Sequence, residues 1–271
     1  MPINLRHPAC VRMFLLAIML CANAAQAGPE WPEINDAGNL PGTAQPVTGN
    51  GVVTKINGEL QGLPPLPDRG LGGDFQDMYL INIVDPNAFL ASTDVLLGGF
   101  CEFPSALYLF NIDGFGIVAS QGPNPADPAA TITGQSTDGS GSMLVAPGLY
   151  LLAISGRSSF PLAGPDLDPI FEFTMSGEVS GPDGPGGNDF IEDWSGPGEI
   201  GPYSIVLHGV EFLPIPCPAD FNNDGKLDFF DVQLFLQAFS NNDPRADLVP
   251  DGLFDFFDVL AFLQSFSDGC S

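Results

Sequence analysis

The sequence predicts a mainly β protein, an antiparallel β-sandwich or jelly roll, with a small α-helical module of two loops at its C-terminal end. Two observations favour this fold class. Between residues 74 and 211, about seven short apolar segments alternate with Gly, Pro and Asp clusters, a pattern typical of antiparallel β domains. Near the C-terminus an acid-rich stretch occurs twice, and an apolar run of helical length follows each copy.

The N-terminal residues have the composition of a secretory signal peptide. Two arginines precede an apolar run at residues 13–20, and small residues at 25–27 supply a cleavage site. Cys21 raises a lipid anchor as an alternative, which the bulky Leu20 before it disfavours. We therefore predict a signal peptide over residues 1–27 and a mature protein that is secreted, extracellular or held at the cell surface. No further run is long and apolar enough to span a bilayer.

The mature chain is strongly acidic. The whole chain has 7 Lys and Arg residues against 33 Asp and Glu residues, and two of the arginines lie within residues 1–27. Removal of that segment leaves 5 basic residues and a formal net charge of −28. So few cations form no basic patch, which argues against nucleic acid and anionic membrane surfaces as partners. Two compatible interpretations follow: the acids form a solvated surface, and some of them bind cations.

Residues 28–72 predict an extended lead-in, rich in Gly and Pro, with one or two edge strands. Residues 73–211 predict the β-sandwich domain. The predicted strands of that domain span residues 78–84, 106–110, 116–119, 142–145, 149–155, 170–175 and 203–210. The last of them alternates apolar and polar residues, which separates a core-facing set from an outward-facing set. The core-facing residues are Tyr203, Ile205 and Leu207, and the outward-facing ones are Ser204 and His208.

Four stretches of this region, GDFQDMYLINI, ALYLFNIDGFGI, APGLYLLAISG and GPYSIVLHGV, resemble a bacterial pre-peptidase C-terminal domain. The resemblance covers roughly residues 40–210. It rests on an Asp-rich segment before an aromatic strand, a hairpin with an Asp-Gly turn, and a Pro-Gly turn before a strand. It implies a β-sandwich carried by a secreted bacterial protein.

The C-terminal module follows a short linker, residues 212–216, in which alternate prolines favour a stiff, extended chain. The module itself spans residues 217–271. Within it, residues 219–240 and residues 246–267 are identical at 14 of 22 aligned positions. Each copy predicts a loop and then a helix, the helices covering residues 230–239 and 257–266.

The first copy carries oxygen-bearing side chains at the spacing of a calcium loop. Calcium is a hard cation that takes six to eight oxygen ligands, and Gly225 permits the sharp turn of such a loop. Asp and Asn also favour turns in general, but duplication of the pattern argues against that simpler interpretation. The predicted ligands are Asp220, Asn222, Asp224, Lys226 through its carbonyl, Asp228 and Asp231.

The second copy keeps most of these ligands but lacks one. Val249 replaces the oxygen at the third loop position, and Pro250 stiffens the chain beside it. We predict that this loop binds calcium weakly or not at all. It persists because two loop–helix units cover each other's apolar faces. Its predicted ligands are Asp247, Asp251, Leu253 through its carbonyl, Asp255 and Asp258.

Paired calcium loops, each followed by a helix at a chain terminus, resemble a dockerin module. The resemblance implies Ca²⁺ as the cofactor and a cohesin-like or cell-surface scaffold protein as the partner, often in polysaccharide-degrading systems. Here aromatic pairs replace the usual polar pair after the ninth loop position. We predict that Phe230 and Phe257 pack inside, whereas Phe229 and Phe256 are exposed and bind the partner.

Three cysteines remain in the mature chain. Cys217 and Cys270 bracket the C-terminal module, which suggests a disulfide that closes a loop of 54 residues. Such a bond stabilises a folded chain by about 4 kcal/mol on the chain-entropy estimate. Cys101 is then free, and we interpret it as a small buried hydrophobe rather than a reactive thiol.

The sequence contains no recognised catalytic motif. His208 is the one histidine of the mature chain, and neither a G-x-S-x-G elbow nor a phosphate-binding loop is present. A glycosidase needs only two carboxylates, which so acidic a chain leaves open. We therefore predict a non-catalytic protein that displays or anchors its β-sandwich through the docking module. The alternative is a carbohydrate-binding or polysaccharide-degrading component, with Trp194 and the insertion at residues 181–195 as its ligand site.

Overall fold

The structure is a computed structural model that describes residues 28–62, 74–122, 128–214, 217–222, 226–249 and 251–269. Over these residues the chain is mainly β, with two α-helices near its C-terminal end. The strands are β1 (Glu30–Pro32), β2 (Gln45–Pro46), β3 (Lys55–Leu60), β4 (Gln76–Ile83), β5 (Leu90–Ser92), β6 (Phe100–Cys101), β7 (Ser105–Asn111), β8 (Gly116–Gln121), β9 (Thr131–Thr133), β10 (Gly148–Gly156), β11 (Pro161–Ala163), β12 (Asp168–Pro169), β13 (Ile191–Trp194), β14 (Gly201–His208) and β15 (Val210–Glu211). The helices are α1 (Phe229–Ser240) and α2 (Phe256–Asp268).

The strands form two six-stranded sheets and one three-stranded sheet. The β14 sheet has the order β1-β3-β14-β5-β9, with β6 also paired to β14. The β4 sheet has the order β15-β4-β10-β7-β8, with β2 also paired to β4. The third sheet has the order β12-β11-β13. Pairing is antiparallel except between β1 and β3 and between β2 and β4.

One hydrophobic core takes side chains from both six-stranded sheets. Alternate residues of β14 enter it, because Tyr203, Ile205 and Leu207 are at most 2 % exposed. His208 is exposed, so the predicted alternation of this strand is confirmed. From the β4 sheet the same core receives Tyr79, Ile81, Ile83, Leu107, Leu109, Leu152 and Ile154.

A second core lies on the other face of the β4 sheet. The intervening residues of β4, β7 and β10 enter it, and they pack against residues that follow β11 in the chain. Burial on both faces explains why these strands are almost continuously apolar in sequence rather than alternating. The second core contains Met78, Ala106, Tyr108, Phe110, Leu151 and Ala153 from the sheet, and Ala163, Ile170, Phe171, Ile191 and Trp194 from the covering segment.

Two predicted strands are wrong. Residues 142–145 form only an isolated bridge from Met143 to Gln135, and residues 170–175 form no strand. The apolar residues Ile170 and Phe171 of residues 170–175 are buried in the second core. Carboxylate side chains accept backbone N–H groups of this segment in place of a neighbouring strand. The Asp183 carboxylate accepts the Glu172 N–H at 3.0 Å, and the Glu178 carboxylate accepts the Thr174 N–H. Apolar character here reflects burial without strand pairing.

The predicted lead-in contributes more than edge strands. Its β1 is an edge strand of the β14 sheet, as predicted, but β3 lies inside that sheet between β1 and β14. The whole of β3 pairs antiparallel with β14 on one side, and its first three residues pair in parallel with β1 on the other. Polar residues at alternate positions of β3 are typical of an edge strand, which is why the sequence predicts one here.

The two C-terminal helices share a small third core. The rings of Phe235 and Phe262 stack with centroids 4.1 Å apart and planes 6° apart, and Phe221 packs edge-on to both. Both helices start one residue earlier than predicted, because Asp228 and Asp255 cap them directly. Equivalent residues of the repeat thus meet at the centre of the module.

This stack predicts how the module responds to truncation of its core. Phe262→Ala should destabilise α1 and α2 by about 3–5 kcal/mol, because it removes a fully buried ring and leaves a cavity. Hydrogen exchange of the helical amides in the full mature chain measures the loss. Phe229→Ala is the matched control: Phe229 is 72 % exposed, and its truncation should change stability by roughly 0.5 kcal/mol or less. Equal effects of the two substitutions would contradict this assignment of the core.

Candidate functional sites

The last acid of each C-terminal loop is buried and holds the loop backbone. Asp231 Oδ1 accepts the Asn222 N–H at 3.3 Å, and its Oδ2 accepts the Asp228 N–H at 2.9 Å. In the second loop Asp258 accepts the Val249 N–H at 3.0 Å and the Asp255 N–H at 2.9 Å. These N–H donors lower the pKa of the Asp258 carboxyl below its ordinary value. Each acid therefore joins its loop to the helix that follows.

The ninth residue of each loop caps that helix. Asp228 Oδ1 accepts the Phe230 N–H at 2.8 Å, and Asp255 Oδ1 accepts the Phe257 N–H at 2.8 Å. Because the twelfth residue binds back to the cap's own N–H, both helices start with a capping box. The duplicated acids at these positions therefore serve helix formation as well as any role in binding an ion.

The second loop wraps its backbone around its first acid. Asp247 Oδ2 accepts the Gly252 N–H at 3.0 Å, and Gly252 has a φ of 78°, which favours glycine at this sharp turn. Asp251 Oδ1 accepts the Leu253 N–H at 2.8 Å. All four acids of this loop are described, yet no three of their carboxylates approach within 4.8 Å of one another.

The first loop offers the fuller set of ligands for calcium. Its donors are all oxygen atoms, which fits a hard cation. Asp220, Asn222, Lys226, Asp228 and Asp231 lie in the described residues, whereas Asp224, Gly225 and Pro250 lie outside them. Coordination by these residues, and by the carbonyls of Lys226 and Leu253, stays a prediction.

All four residues of the repeated Phe-Phe pairs are exposed. The predicted exposure of Phe229 and Phe256 is confirmed at 72 % and 68 %. The predicted burial of Phe230 and Phe257 is wrong, because they are 61 % and 60 % exposed.

Each helix turns inward the residue after the predicted one: Asp231 instead of Phe230 in α1, and Asp258 instead of Phe257 in α2. Asp231, Phe235 and Ala238 line the buried face of α1, and Asp258 and Phe262 line that of α2. The capping box turns Asp231 and Asp258 inward, so the Phe residues beside them turn outward. Equivalent side chains are exposed to similar extents, and Leu236 and Leu263 follow the same rule at 53 % and 55 %.

The described cysteines differ in state. Cys217 is disulfide-bonded, and Cys270 lies outside the described residues, so the predicted pairing of these two stays a prediction. Cys101 is a free, half-buried thiol beside the first core. Burial raises the pKa of Cys101 to about 11, which keeps it protonated and unreactive near neutral pH.

The β domain contains an acidic cluster that sequence reasoning missed. Glu33, Asp36 and Asp77 each place a carboxylate oxygen within 4.8 Å of the others, and no other such group of three occurs among the described residues. Glu33 and Asp36 follow β1, whereas Asp77 lies in β4. We define these three residues as the acidic cluster. Asp77 is fully buried, Glu33 is half-buried and Asp36 is exposed, so the cluster runs from the core to the solvent.

Hydrogen bonds hold two members of the cluster firmly. Glu33 Oε1 accepts the Ala37 N–H and its Oε2 accepts the Glu59 N–H, both at 3.0 Å. Asp77 Oδ2 accepts the Tyr203 hydroxyl at 2.5 Å, and Tyr203 is also hydrogen-bonded to Tyr79. Asp77 Oδ1 has no hydrogen-bond partner in the described part of the chain, although it is buried.

The environment of the cluster disfavours bare negative charge. Burial raises the pKa of Glu33 to about 7 and that of nearby Asp74 to about 6. Burial, and then the charge of Glu33, raises the pKa of Asp77 well above its ordinary value. The Cβ of any residue replacing Gly58 would lie 2.7 Å from Glu33 Oε2 and would collide with the Tyr203 hydroxyl. Glycine at this position therefore leaves room for both groups.

The sequence did contain a signal for this cluster. Asp74 and Asp77 lie three residues apart at the start of an aromatic strand, and Glu33 and Asp36 have the same spacing. What sequence alone lacked was the proximity of two segments that are separated by about forty residues.

Trp194 is not a ligand platform. It is 6 % exposed in the second core, where its ring packs edge-on to Tyr108 with centroids 5.5 Å apart. Its indole N–H donates to the Asn39 carbonyl at 2.7 Å. Neither ring face of Trp194 is therefore open to a sugar, whereas a ligand site on the rest of the insertion at residues 181–195 stays a prediction.

Comparisons with known proteins leave the chain without a family assignment. No protein-family model matches the chain, and no curated protein matches it significantly. Neither helix in the part of the chain that the structure describes is long and apolar enough to cross a membrane. Functional inference therefore rests on the sites themselves.

The capping geometry predicts a local effect of the second loop's last acid. In calcium-free protein, Asp258→Ala should speed exchange of the Val249 and Asp255 amides by about tenfold or more, because both N–H groups lose their acceptor. Hydrogen exchange of the full mature chain measures this. Asp251→Ala is the control, since its carboxylate accepts the Leu253 N–H instead. Unchanged protection of Val249 and Asp255 in Asp258→Ala would exclude this role.

Proposed function

We propose that this chain is a secreted, non-catalytic protein that displays or anchors a β-sandwich domain through a calcium-dependent docking module of the dockerin type. The partner is a cohesin-like or cell-surface scaffold protein. The two six-stranded sheets that share the first core support the sandwich part of the proposal. The signal-peptide pattern of residues 1–27 supports secretion.

The exposed Phe-Phe pairs are the observation that carries the docking function. Four phenylalanines, each at least 60 % exposed, stand at equivalent positions of two equivalent helices. Monomeric proteins rarely expose aromatic rings in such a repeated arrangement, and aromatic side chains dominate the binding energy of protein interfaces. A module with similar surfaces on both repeats suits a folded protein partner.

Calcium enters the proposal through the first loop. Binding of the ion would neutralise acids of the loop that precedes α1, and it would fix the helix that carries Phe229 and Phe230. Asp231 and Asp228 already join that loop to the helix through backbone N–H groups. Docking should therefore depend on calcium through the orientation of the exposed rings.

The Phe pairs give the direct test of docking. Phe229→Ala with Phe256→Ala should weaken binding to an immobilised cohesin-type module about thirtyfold or more, the change that loss of about 2 kcal/mol produces. Phe230→Ala with Phe257→Ala should act similarly, because those rings are also exposed. Binding of the parent should disappear when calcium is chelated.

Leu96→Ala is the matched control for exposed apolar surface. Leu96 is 89 % exposed, and it lies in the β domain, so its loss should leave docking unchanged. The docking function is wrong if the folded double Phe variants bind every partner of the parent. It is also wrong if neither cohesin-type modules nor the source cell envelope supplies a calcium-dependent binder.

The difference between the loops predicts a gain of ligand. Val249→Asn should raise the number of calcium ions bound by the mature chain by one, because it restores the side-chain oxygen at the third loop position. Isothermal calorimetry on residues 28–271 counts the ions. Val249→Ala removes the valine without adding an oxygen and should leave the count unchanged. A parent that already fills both loops equally would contradict the asymmetry.

The carbohydrate alternative keeps the same docking module but assigns the β domain a glycan ligand. Burial of Trp194 removes that side chain as a platform for a sugar ring, which leaves the rest of the insertion at residues 181–195 as the predicted site. A glycan array probed with the mature chain separates the alternatives, because reproducible binding to one class of polysaccharide favours the second.

A further inference from the structure

We propose that the acidic cluster of Glu33, Asp36 and Asp77 binds one hard divalent cation of the calcium type within the β domain. This site is separate from the C-terminal loops and does not depend on the docking function. Asp77 stands inside the first core, whereas the loops belong to the module at the other end of the chain.

The unpartnered oxygen of Asp77 points to a missing ligand. Asp77 is 0 % exposed, and its Oδ1 forms no hydrogen bond. A buried carboxylate oxygen without a partner is costly, and native structures contain few of them. One carboxylate oxygen of Asp77 lies within 4.8 Å of an oxygen of Glu33 and of Asp36, so a cation bound by the three carboxylates would supply the charge that this buried group lacks.

The hydrogen bonds favour a cation over a proton. Tyr203 donates to Asp77, and two backbone N–H groups donate to Glu33, so all of these donors stabilise the ionised carboxylates. Among the described residues no donor reaches Asp77 Oδ1, so hydrogen bonds stabilise its ionised form on one oxygen only. A cation shared by the three carboxylates would satisfy the other oxygen and offset their mutual repulsion.

No basic side chain of the described residues compensates the cluster. Lys55 instead pairs with Glu30 at 3.1 Å, and Arg245 pairs with Asp243 at 3.0 Å. Nearby Asp74 adds another acid, and its own Oδ1 is also buried without a partner. Several carboxylates that approach one another without a counter-charge repel strongly in a partly buried site.

The ligand chemistry selects the class of ion. All donors are carboxylate oxygens, which suit calcium or magnesium rather than zinc or copper. The three oxygens lie within 4.8 Å of one another, a spacing that one hard cation with bonds of about 2.1–2.4 Å can bridge. Exposed Asp36 leaves a side of the site open to water, which would complete the coordination.

The site would join three parts of the β domain. Glu33 and Asp36 follow β1, Asp77 belongs to β4, and Tyr203 of β14 is bonded to Asp77. A bound cation would therefore fix the segment after β1 to the β4 sheet, and through Tyr203 to the β14 sheet. We expect it to stabilise the fold of the β domain.

Terbium luminescence tests the site without interference from the loops. Tb³⁺ replaces calcium at oxygen sites and emits when a nearby indole is excited. Trp31 lies two residues before Glu33, and residues 217–271 contain neither Trp nor Tyr. The mature chain should therefore show tryptophan-sensitised terbium emission that calcium displaces.

Variants assign the signal to the acidic cluster. Asp36 is exposed, and Asp36→Asn keeps the size of its side chain. Glu33→Gln likewise keeps the length of the Glu33 side chain. Each should weaken terbium and calcium binding by about tenfold or more, because each removes a ligand charge. Glu30→Gln, in the same segment but outside the cluster, should leave the signal unchanged. So should Asp231→Asn in the C-terminal loop. Near-ultraviolet circular dichroism verifies that each variant is folded.

Absence of calcium-displaceable, tryptophan-sensitised emission from the folded parent overturns the proposal. So does a signal that survives Asp36→Asn and Glu33→Gln, or one that Asp231→Asn abolishes. Failure of docking appears instead in the partner-binding assay, where these β-domain substitutions have no direct role, so the two proposals fail separately.

Discussion

A buried carboxylate needs hydrogen-bond donors or a cation, and this constraint governs the structure of both the β domain and the C-terminal module. Four acids of the described chain are buried: Asp77, Glu178, Asp231 and Asp258. Glu178 accepts from Thr174, and the last two accept backbone N–H groups of their loops. These three acids replace backbone pairing where the chain leaves regular structure. Asp77 differs, since Tyr203 donates to one of its oxygens and no group among the described residues donates to the other.

The same constraint decides which aromatic residues face solvent in the C-terminal module. Capping requires Asp231 and Asp258 to point inward, toward the N–H groups of the preceding loop. The helix period then brings Phe235 and Phe262 to the interior, where their rings stack. The adjacent Phe pairs are left outside. Exposure of these rings is therefore a consequence of loop closure, and it provides the surface on which the proposed docking function rests.

Burial on two faces organises the β domain. The β4 sheet lies between the first and second cores, so β7 and β10 carry large apolar residues at successive positions. The segment from β11 to β13 covers the outer face with Phe171, Ile191 and Trp194. That covering role accounts for a tryptophan in an otherwise polar insertion, and it removes the main support for a glycan site there.

Local rules in the sequence determined much of the fold. Alternation identified the buried face of β14, and the duplicated acids located both helices to within one or two residues. These features depend on neighbours in the chain, because strand period and helix caps are set within a few residues. Residues 170–175 show the limit, since an apolar run reports burial but does not reveal whether its backbone is paired.

Tertiary structure alone decided the rest. The acidic cluster joins the segment after β1, which pairs with β3 at the edge of one sheet, to β4 in the other sheet, and so brings Glu33 to Asp77 across 44 positions of sequence. No local pattern carries that proximity. The exposure of Phe230 likewise depends on tertiary structure, because the carboxylate of Asp231 occupies the interior position beside it. In both cases a buried charge had to be satisfied first, and its partners were distant in sequence or fixed by the loop rather than by the helix period.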